Sequence, residues 1–173
     1  MRADDLWQTN RRAAHGLPAI SAALARVAGY VWASPNTLLG LVAGFVMLCL
    51  GGRVRLVSGT VEFDHGRAGL LFAGFPAQYR FGALTLGHVI LGVSQARLEA
   101  LRAHERVHVR QYELWGPFFL PAYALSSLWQ AVRGRRAYRD NFFEMQACAI
   151  AANLGGSERS NTNPMNSQNT EAI

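Results

Sequence analysis

The apolar positions change their period along the chain, and each change predicts an element. Leu17, Ile20, Leu24, Val27 and Val31 recur at steps of three and four, one face of an amphipathic helix with Pro18 in its first turn. From Ala28 to Gly52 no residue is charged, and Ser34-Pro35-Asn36 reads as a helix start, so a second, apolar helix is expected from Pro35 to the stop at Gly51-Gly52. Its roughly 16 residues would rise roughly 24 Å, against the about 20 residues a hydrocarbon core needs. That makes it a short transmembrane helix, or a membrane-embedded, interfacial or buried one.

Period two then takes over. Arg53 to Val57, a Ser58-Gly59 turn and Thr60 to Phe63 read as a hairpin, with Asp64-His65-Gly66 as a further turn. Leu70 to Phe72, Gln78 to Phe81 and Leu84 to Leu91 are further strand candidates, and together they predict a small antiparallel β-meander. Helical periodicity returns from Gln95 to Trp115, stopped by Gly116-Pro117, then from Pro121 to Val132 and from Tyr138 to Asn153. The Ser/Asn/Thr-rich tail shows no periodicity and is expected to be disordered. The chain thus divides into an amphipathic N-terminal helix (1–34), a short transmembrane or membrane-embedded helix (35–52), an α+β domain (53–154) and a tail (155–173).

Composition sharpens this. The 173 residues suit one domain. Half of them are apolar and 16% are charged, fewer charges than the about 25% of ordinary soluble domains, which points to a membrane-associated protein rather than a cytosolic or disordered one. Asp4 and Asp5 spoil a basic leader and Arg26 interrupts the apolar run, so the N-terminus does not read as a signal peptide. Cys49 and Cys148 are too few for a disulfide scaffold or a four-cysteine zinc site. The net charge of +6 comes from 17 basic residues, all of them arginine. Many flank apolar segments and no nucleic-acid-binding pattern is present, so anionic lipid is the expected partner and nucleic acid is not. Arg53 and Arg55 outnumber Arg26 near the apolar segment, which places the C-terminal domain on the cytoplasmic side.

The candidate chemistry is His104-Glu105-Arg106-Val107-His108, an HExxH pattern within the helix from Gln95. Histidines at i and i+4 share a side of a helix and can ligate one Zn²⁺, and the glutamate between them can serve as general base toward the water the metal binds. Leu98, Leu101, Glu105, His108, Tyr112 and Trp115 form one stripe, so the motif faces inward, while Arg102, Arg106 and Arg110 form another. A buried polar cluster without metal is the competing reading, at a substantial desolvation cost. A catalytic zinc needs a third protein ligand, and no histidine follows His108. Glu144, 36 residues later, is the best candidate. From His108 the chain climbs about 12 Å, returns about 17 Å and climbs about 9 Å, so an up-down-up path brings Glu144 back to the histidines. This requires that the apolar stretch from Phe118 to Val132 not cross a bilayer.

HERVH on one helix with a downstream glutamate in Asn141-Phe142-Phe143-Glu144-Met145-Gln146-Ala147 resembles the gluzincin zinc metallopeptidases, including small membrane-associated bacterial members, over roughly Leu84 to Ala151. The resemblance implies a zincin-like core with His104, His108 and Glu144 as zinc ligands, Glu105 as the catalytic base, a peptide or protein substrate, and residence in a bacterial inner membrane. It also implies that Thr85 to Leu91 is the edge strand on which an extended peptide is laid. Tyr112, Tyr123 and Tyr138 are candidate transition-state donors. Asp140 either orients a ligand histidine or starts a helix; Gln111 lies beside the site or flanks the core. Cys148, one turn after Glu144, could reach a metal but is expected instead to be a small buried side chain; His88 is expected to be structural, and His15 and His65 to be exposed loop residues. The expected function is a membrane-associated zinc-dependent hydrolase; the alternative is a membrane-tethered metal-binding or assembly protein of the same fold without turnover.

Overall fold

The apolar N-terminal region forms one helix rather than two. The structure, a computed structural model, describes residues 19–64 and 82–161, with side chains over 23–64 and 82–154. Helix α1 runs from Ala19 to Cys49 straight through Pro35. Proline lacks the N–H that would bond the carbonyl four residues back, here that of Val31. The Ser34 hydroxyl donates to this carbonyl at 2.7 Å, so the acceptor is satisfied and the helix continues where the sequence pattern suggested a boundary.

Ala33, Asn36, Gly40, Gly44 and Met47 make the buried stripe of α1. The glycines permit close approach: a Cβ on Gly40 would lie 2.6 Å from Val89 Cβ, and one on Gly44 would collide with the Phe63 ring. The covering strands are β1 (Arg53–Val57), β2 (Thr60–Asp64), β3 (Ala83–Leu86) and β4 (Val89–Gly92), in the order β1-β2-β4-β3. The hairpin turn falls at Ser58-Gly59 as expected, with both residues at positive φ. The sheet is not an antiparallel meander but mixed, because β2 pairs with β4 in parallel. Val89, Ile90 and Leu91 are buried, and an apolar run of this kind belongs inside a sheet rather than at its edge. The expected single strand from Leu84 to Leu91 is therefore two, reversed at Gly87-His88. The candidates at Leu70 to Phe72 and Gln78 to Phe81, and His15 and His65, lie outside the described residues.

The sheet has two covered faces. Phe63, Val89 and Leu91 pack with Met47 of α1; Ala83 and Ile90 pack with Leu98 and Val109 of α2 (Gln95–Trp115). Arg102 of α2 is also fixed to β2, its Nε and Nη2 donating to the two oxygens of buried Glu62 at 2.8 and 3.0 Å. A 3₁₀ turn (Gly116–Phe118) leads into α3 (Phe119–Val132), and α4 spans Phe142–Asn161. The last helix begins later than the pattern suggested and continues through Gly155-Gly156 to Asn161, so the first residues of the tail expected to be disordered are helical, although each glycine costs about 1 kcal/mol relative to alanine. His88 joins three elements. Its ring stacks on Tyr30 at 3.9 Å, lies 3.1 Å from the Glu113 carboxylate through Nε2, and its backbone N–H donates to Thr37 Oγ1 at 3.1 Å. The structural role expected for His88 is the one it has.

Replacing a mid-helix glycine by alanine normally stabilises by roughly 1 kcal/mol. Gly44→Ala has the opposite sign here, because the Phe63 ring must give way, and overpacking costs about 1–3 kcal/mol. Thermal unfolding in mild detergent reads the sign directly.

Candidate metal centre

α2 begins at Ser94, whose hydroxyl accepts the Arg97 N–H at 3.3 Å, and delivers His104, Glu105 and His108 to one side. α4 begins at Asn141, which is fully buried. Its Oδ1 accepts the Phe143 N–H at 2.9 Å, while Nδ2 donates to the Tyr123 carbonyl at 3.0 Å and Ser127 Oγ at 2.7 Å. One side chain thus caps α4 and fixes it to α3, which sets the position of Glu144 in its first turn.

Glu144 meets both histidines. His104 Nε2 and His108 Nε2 are 3.1 Å apart, and each lies 3.3 Å from a Glu144 oxygen, Oε2 and Oε1 respectively. A tetrahedral ion with bonds of about 2.0–2.1 Å needs ligand atoms about 3.3 Å apart; with one atom taken from each residue, the three candidate ligand atoms lie within 4.8 Å of one another, close enough to gather around one ion. Among the described residues this is the one cluster of three or more His, Cys, Asp or Glu side chains close enough to share an ion. The apolar stretch before α4 does not separate the three candidate ligands, as the up-down-up path required.

The surrounding hydrogen bonds prepare the donors. Gln111 is buried, and its Nε2 donates to the Phe143 carbonyl at 3.1 Å and to Gln146 Oε1 at 2.8 Å. Its Oε1 therefore faces His108 and accepts from Nδ1 at 2.8 Å. This places the proton of the neutral ring on Nδ1 and leaves the Nε2 lone pair toward the centre. Tyr123 donates to Glu144 Oε1 at 2.8 Å. Burial acts to raise the Glu144 pKa, but the adjoining His104 and His108 rings and the Tyr123 hydroxyl hold it well below the usual carboxylate range. Burial opposes charge on His108 as well, yet the Glu144 carboxylate lifts its pKa above the usual imidazole value. Lone pairs of this kind, converging in a buried place, suit a cation.

Glu105 differs from Glu144 in environment and hence in basicity. It is 5% exposed, and the Thr85 hydroxyl on β3 donates to its Oε2 at 2.7 Å. Burial pushes its carboxyl above the usual range, against the pull of His108, Thr85 and His104. Two carboxylates with oppositely displaced pKa values stand beside the same histidines, one suited to remain an anion and the other to carry a proton.

Other sequence candidates find different places. Tyr112 is buried and donates to the Thr85 carbonyl at 3.1 Å, and both Tyr123 and Tyr138 bond to Glu144; burial and the neighbouring carboxylates raise all three phenols above their usual range. Asp140 does not orient a ligand histidine: it accepts the Arg136 N–H at 2.9 Å and pairs with its guanidinium at 3.6 Å. Cys148 is exposed rather than buried and lies 3.9 Å from His104 Nδ1. The edge-strand expectation narrows, since β4 is internal and, among the described residues, only β3 lies at that edge. Val93 N–H donates to Gly82 O at 3.2 Å, and strand alternation then turns the backbone groups of Ala83 and Thr85 outward. The pattern of the sequence did not reveal Thr85 and Gln146 as partners of the motif, because both act across elements; a buried threonine between strand leucines was the available signal for the first.

No family model, curated protein or solved structure matches the chain.

Gln111→Leu leaves the buried His108 Nδ1–H without an acceptor, and loss of such a partner lowers metal affinity about 10–100-fold. Zinc competition titration measures this, with Gln111→Glu expected to restore most of it. Asn141→Ala removes a cap and two cross-helix bonds, an expected loss of about 2–4 kcal/mol in urea unfolding.

Proposed function

We propose that the chain is a membrane-associated, zinc-dependent, metallopeptidase-like hydrolase of gluzincin type. The observation that carries this reading is the triangle of His104, His108 and Glu144 beside a separately held Glu105. Two imidazoles and a carboxylate are a borderline donor set that suits zinc. When bound, zinc would supply a Lewis acid that polarises a carbonyl and acidifies water. Glu105 takes the proton of the attacking water and passes it to the leaving amine, a role favoured by the rise in its pKa that burial causes. Thr85 orients the carboxylate for that transfer, and Gln111 and Tyr123 hold His108 and Glu144. The substrate class is a peptide or protein segment, laid along the β3 edge, where the Thr85 carbonyl would have to exchange its Tyr112 partner for the substrate.

Association with the membrane rests on α1. Its stretch Ala23–Cys49 has 27 residues and is long and apolar enough to cross a bilayer. The domain packs along α1 from Ala33 to Met47, so the exposed apolar side of that helix is what would meet the lipid, and the arginine distribution favours the cytoplasmic face for the domain.

A second reading, a membrane-tethered metal-binding or assembly protein without turnover, is favoured by one observation. All three candidate tyrosine hydroxyls are already engaged, and Tyr112 takes the Thr85 carbonyl that a substrate strand would otherwise use.

Zinc stoichiometry and hydrolysis of a peptide library, measured together, separate the two. Wild type is expected to hold about one zinc per chain. His108→Ala and Glu144→Ala should lose it, and Glu105→Gln should keep it while hydrolysis falls at least 10²-fold. Zinc retained by both ligand variants would sink the metal assignment; hydrolysis unchanged in Glu105→Gln would remove Glu105 as the base.

A further inference from the structure

The inward and outward faces of α3 are reversed relative to a helix that faces water. Its polar side chains Tyr123, Ser126, Ser127 and Gln130 all lie on the half-buried side. Three of them bond across to α4: Tyr123 to Glu144, Ser126 Oγ accepting the Phe142 N–H at 3.0 Å, and Ser127 Oγ accepting from Asn141. Gln130 also turns inward, although its buried Oε1 finds no partner there. The outward side is apolar throughout. Leu125 is 67% exposed, Leu128 60%, Trp129 55% and Val132 75%, at the steps of three and four that make one continuous stripe. Single exposed leucines need no explanation, but a whole helix face does.

The ends of the helix indicate what covers this stripe. Arg133, Gly134, Arg135 and Arg136 follow it directly, and the Arg133 guanidinium lies 4.1 Å over the Trp129 ring. Tryptophan at the boundary with arginine reaching outward is the arrangement of a membrane interface. A second copy of the same face offers these arginines no partner, since α3 carries no carboxylate, whereas anionic headgroups do. The 14 residues of α3 would rise about 21 Å, too little to span, and the flanking helices converge on one cluster, which a crossing would forbid.

We infer that α3 lies in the plane of the bilayer surface, with Leu125, Leu128, Trp129 and Val132 in the lipid and Arg133 and Arg135 among anionic headgroups. Docking of this helix is separate from the anchoring by α1 and does not depend on whether the cluster holds zinc. Since Tyr123 occupies the opposite face of the same helix, Glu144 sits about one helix diameter, 10–12 Å, from the lipid.

The test uses the full chain with Trp7, Trp32 and Trp115 changed to Phe, which leaves Trp129 as the reporter, bound to vesicles carrying brominated acyl chains. The expected result is a blue-shifted Trp129 emission, quenched most strongly by bromines near the headgroups. Arg133→Gln with Arg135→Gln should weaken binding to anionic vesicles by about 25-fold, roughly fivefold for each arginine. Leu125→Ser with Leu128→Ser should remove the quenching and leave the unfolding temperature in detergent unchanged. An unquenched Trp129 in vesicle-bound protein overturns the inference. So does a large loss of thermal stability in the double serine variant, which would make these leucines core residues, or a concentration-dependent Leu128→Cys cross-link in place of quenching, which would make the face a contact between copies.

Discussion

A carboxylate and two imidazoles brought together out of water cost several kcal/mol each unless every lone pair and proton has a partner. The centre of this protein is organised around meeting that requirement. Gln111 fixes the His108 proton, Tyr123 and Tyr138 hold Glu144, and Thr85 holds Glu105. Gln111 is in turn fixed by Phe143 and Gln146, and Asn141 sets the start of the helix that carries these two and Glu144. Moving any one of these elements would leave a buried polar group unpaired. The cluster therefore positions the helices as much as the helices position the cluster.

The second constraint is the close approach of α1. A stripe of small residues lets the sheet lie against the helix backbone, and the same helix carries Tyr30 and Thr37 to His88. His88 then reaches Glu113 on the motif helix. Burial acts to raise the Glu113 pKa, but His88 and Arg110 lower it below the usual range, which keeps the Glu113 carboxylate ionised at the junction. The apolar helix is thus a structural member of the domain, packed along one side, while its other side is left apolar and exposed. The reversed faces of α3 follow the same logic: polar groups go where partners are, and the apolar face is left outside.

Much of the arrangement was legible along the chain. The hairpin turn at Ser58-Gly59, the limits of the motif helix and the meeting of Glu144 with His104 and His108 follow from local periodicity and helical rise. The continuity of α1 was not legible, since it depends on where the Ser34 hydroxyl points. Nor was the mixed sheet, since the choice of β4 over β3 as neighbour of β2 is made by burial on both faces of Val89 to Leu91.

Sequence alone determined the period of each element and the chemistry available on it, because both arise within one or two turns of backbone. Tertiary structure decided which groups meet. The Thr85 hydroxyl finds Glu105 across 20 residues, and Gln111 finds Gln146 across 35. A stripe of leucines shows that α3 has two faces but not which faces inward; the bonds from Tyr123, Ser126 and Ser127 decide that, because an unpaired buried polar group costs more than an exposed leucine.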